Sequence, residues 1–249
     1  MQAMQISVAA ILCAAGSSRR FAGSMGGVKK EYAPLPGKNL TVLGAALGAF
    51  ASSPRIETIV ITVPPGAEEE ARASLGEALA GQEHSRILFV SGGPTRRASV
   101  HNALLLLESC HPSHVLIHDG ARPWIKPDLV ERIIDAAIRF DAVIPALPLL
   151  ETPKELAAAE LAGTENSAPR EGPAFIKRHL KRAELCFAQT PQGFRFPEIL
   201  KAHEKAAERE SKEQCEYTDD AEVWGEFIGQ VAVIPGDPEN KKITYPEDL

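Results

Sequence analysis

The chain has 249 residues, of which 44% are hydrophobic and 24% charged, and its formal net charge is −6. This composition is ordinary for a globular protein, and we expect a single domain over residues 1–249. The acidic balance argues against a general nucleic-acid binder, and no apolar run reaches the roughly 20 residues of a membrane span. Neither nucleic acid nor a membrane is therefore an expected partner.

Cysteine usage and the N-terminal sequence predict a cytoplasmic location. The N-terminus lacks a basic segment followed by a cleavable apolar stretch, so no signal peptide is expected. The cysteines show neither CxxC nor Cys/His ligand spacing, which favours reduced thiols over a disulfide framework or a zinc site. They are Cys13, Cys110, Cys186 and Cys215.

Strand-like and helix-like patterns alternate along most of the chain. Apolar runs predict strands at 8–12, 56–63, 87–90, 115–118, 142–146 and 230–234. Helical patterns lie at 67–80, 96–108, 127–140, about 196–210 and from about Asp219. This alternation predicts an α/β fold with a mostly parallel twisted sheet and helices on both faces.

The segment at about 150–185 breaks this rhythm. Residues 156–167 are rich in alanine and glutamate, and residues 168–175 carry two prolines and a glycine. We expect an arm insertion that projects from the sheet. A long flexible surface loop is the alternative.

A small-residue turn and a basic loop follow the first predicted strand. Ala14, Ala15 and Gly16 allow close backbone approach, and the loop then supplies Arg19, Arg20, Lys29 and Lys30. Backbone donors combined with fixed cations suit a triphosphate, so the segment predicts a phosphate site. An ordinary solvated basic loop is the alternative.

Three further segments are candidate sites because ligands of such sheets bind beyond the carboxyl ends of the strands. GGPTRRASV at 92–100 permits close backbone approach, or else it only starts a helix with Thr95 as cap. HDGARP at 118–123 places Asp119 to orient a sugar hydroxyl or a metal-bound water, or else pairs it with Arg122 to hold the loop. QTPQGF at 189–194 is a polar turn that holds a phosphate or only turns the chain.

Two segments near the end of the chain are weaker candidates. The pattern YTDD at 217–220 predicts a helix start with Thr218 as N-cap and acids in the first turn. A basic pair, Lys241 and Lys242, follows the last predicted strand, where a solvated tail is the alternative.

Together these segments resemble the 2-C-methyl-D-erythritol 4-phosphate cytidylyltransferases of the non-mevalonate isoprenoid pathway. The resemblance runs from about Ala9 to Leu249, and its most specific pieces are HDGARP, QTPQGF, TDD and KITYPEDL. It implies a Rossmann-like nucleotidyltransferase fold with a projecting dimerisation arm. It also implies that the phosphate of methylerythritol phosphate attacks the α-phosphorus of CTP with Mg²⁺ assistance, and that pyrophosphate leaves. The other segments that carry it are AAGSSRRF, KKEY, GGPTRRASV, PALPLLETPK and NKKITYPEDL.

The resemblance also implies roles for individual residues. Arg20 and Lys30 match the pair that stabilises the developing charge, and Arg182 and Lys242 match the clamp on the attacking phosphate. Asp119 matches the acid near the ribose, the substrate and the metal, which makes it the candidate Mg²⁺ ligand. The arm implies a homodimer in which Arg182 reaches the neighbouring subunit's site. The remaining matches are Ala14, Ala15, Gly16, Gly93 and Ser99 on the nucleotide side and Arg122, Thr152, Thr190 and Thr218 on the polyol phosphate side.

Several positions depart from the usual pattern of the family. The first loop is longer, and Lys29 stands where a proline normally precedes the catalytic lysine. Two of the matching segments carry two consecutive lysines, Lys29 and Lys30 in one and Lys241 and Lys242 in the other. The alignment with the family is therefore open by one residue at each pair.

Two other functions compete with this interpretation. A ribitol 5-phosphate cytidylyltransferase would share these motifs and differ only in its polyol site. A non-catalytic nucleotide-binding module is the second alternative, and the joint presence of Arg20, Lys30, Asp119, Arg182 and Lys242 argues against it. A dehydrogenase is disfavoured because no GxGxxG follows the first strand.

Overall fold

The fold is built on a mixed, mostly parallel β-sheet, seen in a computed structural model that describes residues 6–18, 21, 23, 27–79, 84–157 and 173–249. The strands are β1 (Val8–Cys13), β2 (Ile56–Val63), β3 (Arg86–Ser91), β4 (His114–Asp119), β5 (Ala142–Pro148), β6 (Lys154–Leu156), β7 (Ile176–His179), β8 (Cys186–Ala188), β9 (Gln192–Arg195) and β10 (Ala232–Pro235).

The helices alternate with these strands. They are α1 (Val42–Ala51), α2 (Glu68–Leu75), α3 (Arg96–Glu108), α4 (Pro127–Phe140), α5 (Phe196–Glu210) and α6 (Asp220–Phe227). Short 3-10 turns lie at Lys30–Tyr32, Gly76–Leu79, Arg182–Glu184 and Pro246–Asp248. Within the part of the chain that the structure describes, no helix is long and apolar enough to cross a membrane.

The strand order is β10-β5-β9-β4-β1-β2-β3, and β8 pairs with β5. Neighbours β1–β2, β1–β4, β2–β3 and β5–β10 are parallel, whereas β9 runs antiparallel between β4 and β5. The prediction of a mostly parallel α/β sheet is therefore confirmed. Its parallel part places the carboxyl ends of β1 to β4 at one edge of the sheet.

Helices cover both faces of the sheet, as the sequence predicted. Successive side chains of β1 point to opposite sides because the period of a strand is two residues. Val8, Ala10 and Leu12 belong to one buried cluster with α1, α2 and α4. Ala9 and Ile11 belong to a second cluster with α3, α5 and α6.

The predictions from local sequence were wrong for one element and only partly right for another. The prediction that 189–194 is wholly a turn is wrong, because its second half forms β9 inside the sheet. Gly193 lets β9 pack closely against α4, because a Cβ at this position would lie 2.8 Å from Ile133 Cγ2. The helix predicted over 67–80 ends at Leu75 and continues only as a 3-10 turn.

Helix α1 was not predicted at all. Its sequence is VLGAALGAFA, and eight of its ten residues are buried. A helix that is apolar on nearly every side lacks the polar stripe that marks a surface helix. Its beginning is nonetheless capped locally, since Thr41 Oγ1 accepts a hydrogen bond from the Gly44 N–H at 3.1 Å.

The described part of the 150–185 segment forms a ribbon separate from the main sheet. Strands β6 and β7 pair antiparallel with each other in a two-stranded sheet of their own. The alanine- and glutamate-rich part predicted at 156–167 lies mostly outside the described residues. That the segment projects as a dimerisation arm stays a prediction.

Candidate active site

Two adjoining cavities lie at the carboxyl-terminal edge of the parallel strands. The larger cavity has a volume of about 790 Å³, and its floor includes Cys13, Thr62 and Asp119 from the ends of β1, β2 and β4. The smaller cavity, of about 220 Å³, is lined by residues of the 189–192 and 218–219 segments. Three charged side chains belong to both cavities and mark their boundary: Arg96, Asp119 and Lys242.

The turn after β1 contributes to the larger cavity through Ala15 and Gly16. Ala14 does not line it. Its side chain is fully buried, and its N–H donates to the Thr62 carbonyl oxygen at 3.1 Å. Ala14 thus supports the turn from below. The predicted charge-stabilising Arg20 lies outside the described residues.

The glycines after β3 bring a second loop against this turn. A Cβ on Gly92 would lie 2.3 Å from Ala15 Cβ, closer than two non-bonded carbon atoms can approach. The Gly93 N–H donates to Ser99 Oγ at 3.0 Å, and Gly93 and Ser99 both line the larger cavity. Thr95 caps α3, so the loop allows close approach and also starts a helix.

We expect Gly92→Ala to lower the free energy of unfolding by about 1–3 kcal/mol, because the added methyl group must displace Ala15 in a packed loop. Chemical denaturation of the free protein measures this. The matched control is Gly229→Ala, since a Cβ on Gly229 would meet nothing within 4 Å. Equal stabilities of the two variants would contradict the close contact between the loops.

Asp119 is the electrostatic centre of the site. Its carboxylate lies 3.1 Å from Lys242 Nζ, 3.3 Å from Arg122 Nε and 3.6 Å from Arg96 Nε. Burial alone would raise the pKa of Asp119, but the positive charges of these three residues hold it well below its usual range. The carboxylate therefore organises a group of cations and does more than pair with Arg122.

Sequence reasoning assigned no role to Arg96, which the structure places at the boundary of the two cavities. Its Nη2 lies 2.8 Å from Oδ2 of the fully buried Asp220, which also approaches His203 Nε2 at 3.3 Å. The neighbouring Arg97 faces away and pairs with Glu210 at 2.7 Å. The signal was the pair of arginines at the start of α3, but the pair alone does not tell which one faces the cavity.

The two lysines before Tyr32 occupy different environments. Lys29 Nζ contacts the Gly16 carbonyl oxygen and lies 2.8 Å from the buried Glu31 carboxylate. Lys30 lines the larger cavity, and among the described residues it forms no ion pair. Burial lowers the pKa of Lys30, against the opposing charge of Glu31. The side chain of Lys29 is engaged within the loop, whereas that of Lys30 faces the larger cavity.

The smaller cavity brings together most of the residues predicted on the polyol phosphate side. Arg122, Thr190 and Thr218 line it together with Lys242. The Arg122 guanidinium also donates to the Asn240 carbonyl oxygen at 2.8 Å, which fixes its direction. Four residues from separate parts of the sequence therefore surround one polar space.

Thr152 and Arg182 lie on the arm and line neither cavity of their own chain. Both are exposed. Arg182 Nη1 donates to the Leu150 carbonyl oxygen at 2.5 Å. The predicted role of these two residues would require a second subunit, and it stays a prediction.

Three buried amides hold the loops around the smaller cavity, and sequence reasoning missed their role. Gln189 Nε2 donates to the Asp237 carbonyl oxygen at 2.9 Å, and Asn240 Nδ2 donates to the Thr190 carbonyl oxygen at 2.7 Å. Gln192 Oε1 accepts from the Asp220 N–H at 3.1 Å. The first two bonds connect the loop after β10, which carries Lys242, to the 189–192 segment, and the third connects β9 to the start of α6.

The N-cap of α6 is Asp219, so the prediction that Thr218 caps it is wrong. Asp219 Oδ1 accepts from the Glu222 N–H at 2.8 Å. Glu222 in turn accepts from the Thr218 N–H and hydroxyl, both at 2.9 Å. The carboxylate one residue later is placed to cap the helix, which leaves Thr218 at the cavity wall.

The cysteines are free thiols in the structure. Cys13 ends β1 and faces the larger cavity beside Asp119. Burial raises the pKa of the Cys13 thiol to about 12, which the charge of Arg96 only partly opposes. The thiol is thus protonated at neutral pH and is unsuited to act as a nucleophile.

Sequence comparison connects the chain with one enzyme family. The model of the family described as IspD: 2-C-methyl-D-erythritol 4-phosphate cytidylyltransferase matches residues 8–249. A curated relative from Bradyrhizobium sp. (strain ORS 278), "Bifunctional enzyme IspD/IspF", is 41% identical over 242 residues, or 97% of this chain and 54% of the relative. The enzyme of the same name from Nitrobacter hamburgensis is 39% identical over 97% of this chain and 53% of its own length. The chain spans about half the length of these curated relatives.

Solved structures similar to this one support the same connection. The 2-C-methyl-D-erythritol 4-phosphate cytidylyltransferase from Thermus thermophilus has 28% identity and a TM-score of 0.65, covering 96% of this chain and 93% of the other. The 4-diphosphocytidyl-2C-methyl-D-erythritol synthase from Anaerococcus prevotii has 25% identity and a TM-score of 0.76, covering 98% and 92%. The predicted nucleotidyltransferase fold is confirmed.

Proposed function

Because this chain belongs to the 2-C-methyl-D-erythritol 4-phosphate cytidylyltransferase family, we propose that it transfers a cytidylyl group from CTP to 2-C-methyl-D-erythritol 4-phosphate. The products are 4-diphosphocytidyl-2-C-methyl-D-erythritol and pyrophosphate. The observation that carries the proposal is the pair of adjoining cavities that share Arg96, Asp119 and Lys242. A nucleotide in the larger cavity and a phosphate acceptor in the smaller one would meet at these charges.

The reaction forms a bond between a phosphate oxygen of the acceptor and the α-phosphorus of CTP, and it breaks the bond to pyrophosphate. Negative charge builds up on the α-phosphoryl oxygens and on the leaving group, so catalysis consists mainly of positioning and electrostatic stabilisation. Lys30, with Arg20, is proposed to meet this charge from the nucleotide side. Lys242 and Arg122 line the smaller cavity and are proposed to hold the acceptor phosphate there.

Nucleotide selection is proposed to depend on Ala15, Gly16, Gly93 and Ser99, whose backbone and hydroxyl groups line the larger cavity. A site that hydrogen-bonds an exocyclic amine rejects a carbonyl at the same place, because its own polar groups stay unpaired. We therefore expect CTP to raise the melting temperature more than UTP does at equal concentration with Mg²⁺. Equal stabilisation by the two nucleotides would contradict this selection.

Asp119 fits the proposed role of a Mg²⁺ ligand. Mg²⁺ in nucleotide enzymes is usually held by one or two carboxylates together with substrate phosphates. Asp119 supplies such a carboxylate at the boundary of both cavities, where its oxygens also pair with Lys242, Arg122 and Arg96. When bound, the ion would offset negative charge on the phosphates.

A homodimer is proposed to complete the site. Large apolar side chains on the arm and on the adjoining β8 are exposed: Leu150 at 77%, Ile176 at 51% and Phe187 at 60%. Exposed apolar groups of this kind mark interaction surfaces, and twofold pairing is the commonest arrangement of homo-oligomers. The arm of one subunit would then bring Arg182 to the partner's smaller cavity.

Pyrophosphate release measured with CTP and Mg²⁺ tests the proposed activity. We expect turnover with 2-C-methyl-D-erythritol 4-phosphate that clearly exceeds turnover with ribitol 5-phosphate. The reverse order would make ribitol 5-phosphate the substrate. CTP binding without release of pyrophosphate from either acceptor would identify a non-catalytic nucleotide-binding module.

A further inference from the structure

A fully buried histidine lies directly behind the wall of the smaller cavity. His118 Nδ1 lies 2.9 Å from Thr190 Oγ1, and its Nε2 lies 3.3 Å from the Arg122 carbonyl oxygen. Thr190 Oγ1 also accepts a hydrogen bond from the Asp119 N–H at 3.1 Å. His118 thus connects HDGARP to QTPQGF, 72 positions apart in the sequence.

These partners determine where the imidazole carries its proton. A carbonyl oxygen only accepts, so Nε2 must donate to Arg122. His118 is fully buried and its ring packs against Phe50 at 5.0 Å between centroids, surroundings that favour the neutral imidazole. In the neutral ring the other nitrogen, Nδ1, is an acceptor. The donor that faces it is the hydroxyl of Thr190.

The hydroxyl of Thr190 then has no proton left for a ligand. A threonine hydroxyl has one O–H and two lone pairs. The O–H points to His118, and one lone pair takes the Asp119 N–H. The second lone pair can only accept a hydrogen bond from the smaller cavity, which Thr190 lines.

We propose that His118 is a positioning residue that makes Thr190 a hydrogen-bond acceptor toward the substrate. Resting on the proposed function, this implies that Thr190 receives a hydroxyl group of the polyol and not its phosphate. The oxygens of a phosphate dianion are all hydrogen-bond acceptors. At Thr190 they would face another acceptor lone pair and could form no hydrogen bond with it. The phosphate is therefore left to Arg122 and Lys242, which offer donors alone.

The tautomer of His118 can be measured without turnover. Nitrogen NMR of the free protein labelled at histidine, with His118→Phe used to assign the signal, reports which ring nitrogen is protonated. We expect the proton on Nε2 and an unprotonated Nδ1 at neutral pH. A proton on Nδ1, or on both nitrogens, overturns the inference even if the enzyme transfers cytidylyl groups as proposed.

Kinetics test the consequence for the substrate. We expect Thr190→Val to raise the KM for the polyol phosphate about tenfold, the effect of one lost hydrogen bond, and to leave the KM for CTP nearly unchanged. Thr190→Ser, which keeps the hydroxyl, should have a lower KM for the polyol phosphate than Thr190→Val. His118→Phe should act through Thr190, so the double variant should be no worse than Thr190→Val alone.

Substrate analogues identify the group that Thr190 receives. Replacing a hydroxyl by fluorine removes the donor and keeps a weak acceptor. One such analogue of the polyol phosphate should lose affinity for the wild-type protein but not for Thr190→Val. Additive effects of the two substitutions, or a defect in CTP binding alone, would overturn the role of His118. Turnover of no polyol phosphate, with the expected tautomer, would instead reject the proposed function.

Discussion

Lys30→Ala is expected to lower kcat by about 10²- to 10³-fold and to change the KM for CTP far less, as removal of one charge-stabilising donor does in other enzymes. Lys30 lines the larger cavity, and burial lowers its pKa because the site is shielded from water. Its proposed charge acts mainly on the α-phosphoryl oxygens and pyrophosphate as they become more negative. Steady-state kinetics of pyrophosphate release separate the two parameters.

Lys29→Ala is the matched control for this prediction. Lys29 is bound to Glu31, whose side chain is only 4% exposed, so its removal leaves a buried carboxylate without its partner. We therefore expect a smaller effect on kcat and a larger loss of stability than for Lys30→Ala. The additional substitution Glu31→Gln should restore part of that stability. A dispensable Lys30 beside an essential Lys29 would mean that the register of this loop is wrong by one residue.

Arg182→Ala is expected to lower kcat/KM for the polyol phosphate by at least about 100-fold, since a guanidinium that clamps a phosphate contributes both charge and orientation. Arg182 is exposed and lies outside the cavities of its own chain, so a large effect would require action in the partner's site. Light scattering gives the oligomeric state. A stable monomer that is fully active would contradict the proposal directly.

Mixing two inactive variants distinguishes action in the partner's site from action in the same chain. A heterodimer of Arg182→Ala and Lys30→Ala subunits would hold one site in which both residues are intact. With random pairing of equal amounts, half of the dimers are mixed, so we expect recovery of about one quarter of wild-type activity. No recovery after subunit exchange would place Arg182 in the site of its own chain.

Local sequence was sufficient for the strands that build the edge of the site. β1, β2 and β4 are buried on both faces, so they are nearly continuous apolar runs bounded by polar or small residues. Because parallel strands end at one edge, the residues that follow them could be predicted to meet. Asp119, Gly93 and Ser99 do line one cavity. The resemblance gave Lys242 its expected role, because the basic pair by itself was a weak candidate site that a solvated tail would equally explain.

Other features depend on contacts between distant segments, which no local pattern encodes. Helix α1 was not predicted because it is buried on nearly all sides and has no polar stripe. The segment around Gly193 was predicted as a turn because its packing against α4 cannot be seen in the local sequence. Two consecutive arginines look alike in sequence, yet Asp220 and Glu210 draw Arg96 and Arg97 to different sides.

The sequence by itself determined most strands and helices of the parallel part of the sheet, the edge at which the cavities lie and the family to which the chain belongs. The tertiary structure decided which of two consecutive arginines faces the cavity and which side chain contacts Thr190 Oγ1 behind the cavity wall. Those choices are set by hydrogen bonds and ion pairs across as many as 124 positions of sequence, as between Arg96 and Asp220. Such contacts exist only once the chain is folded.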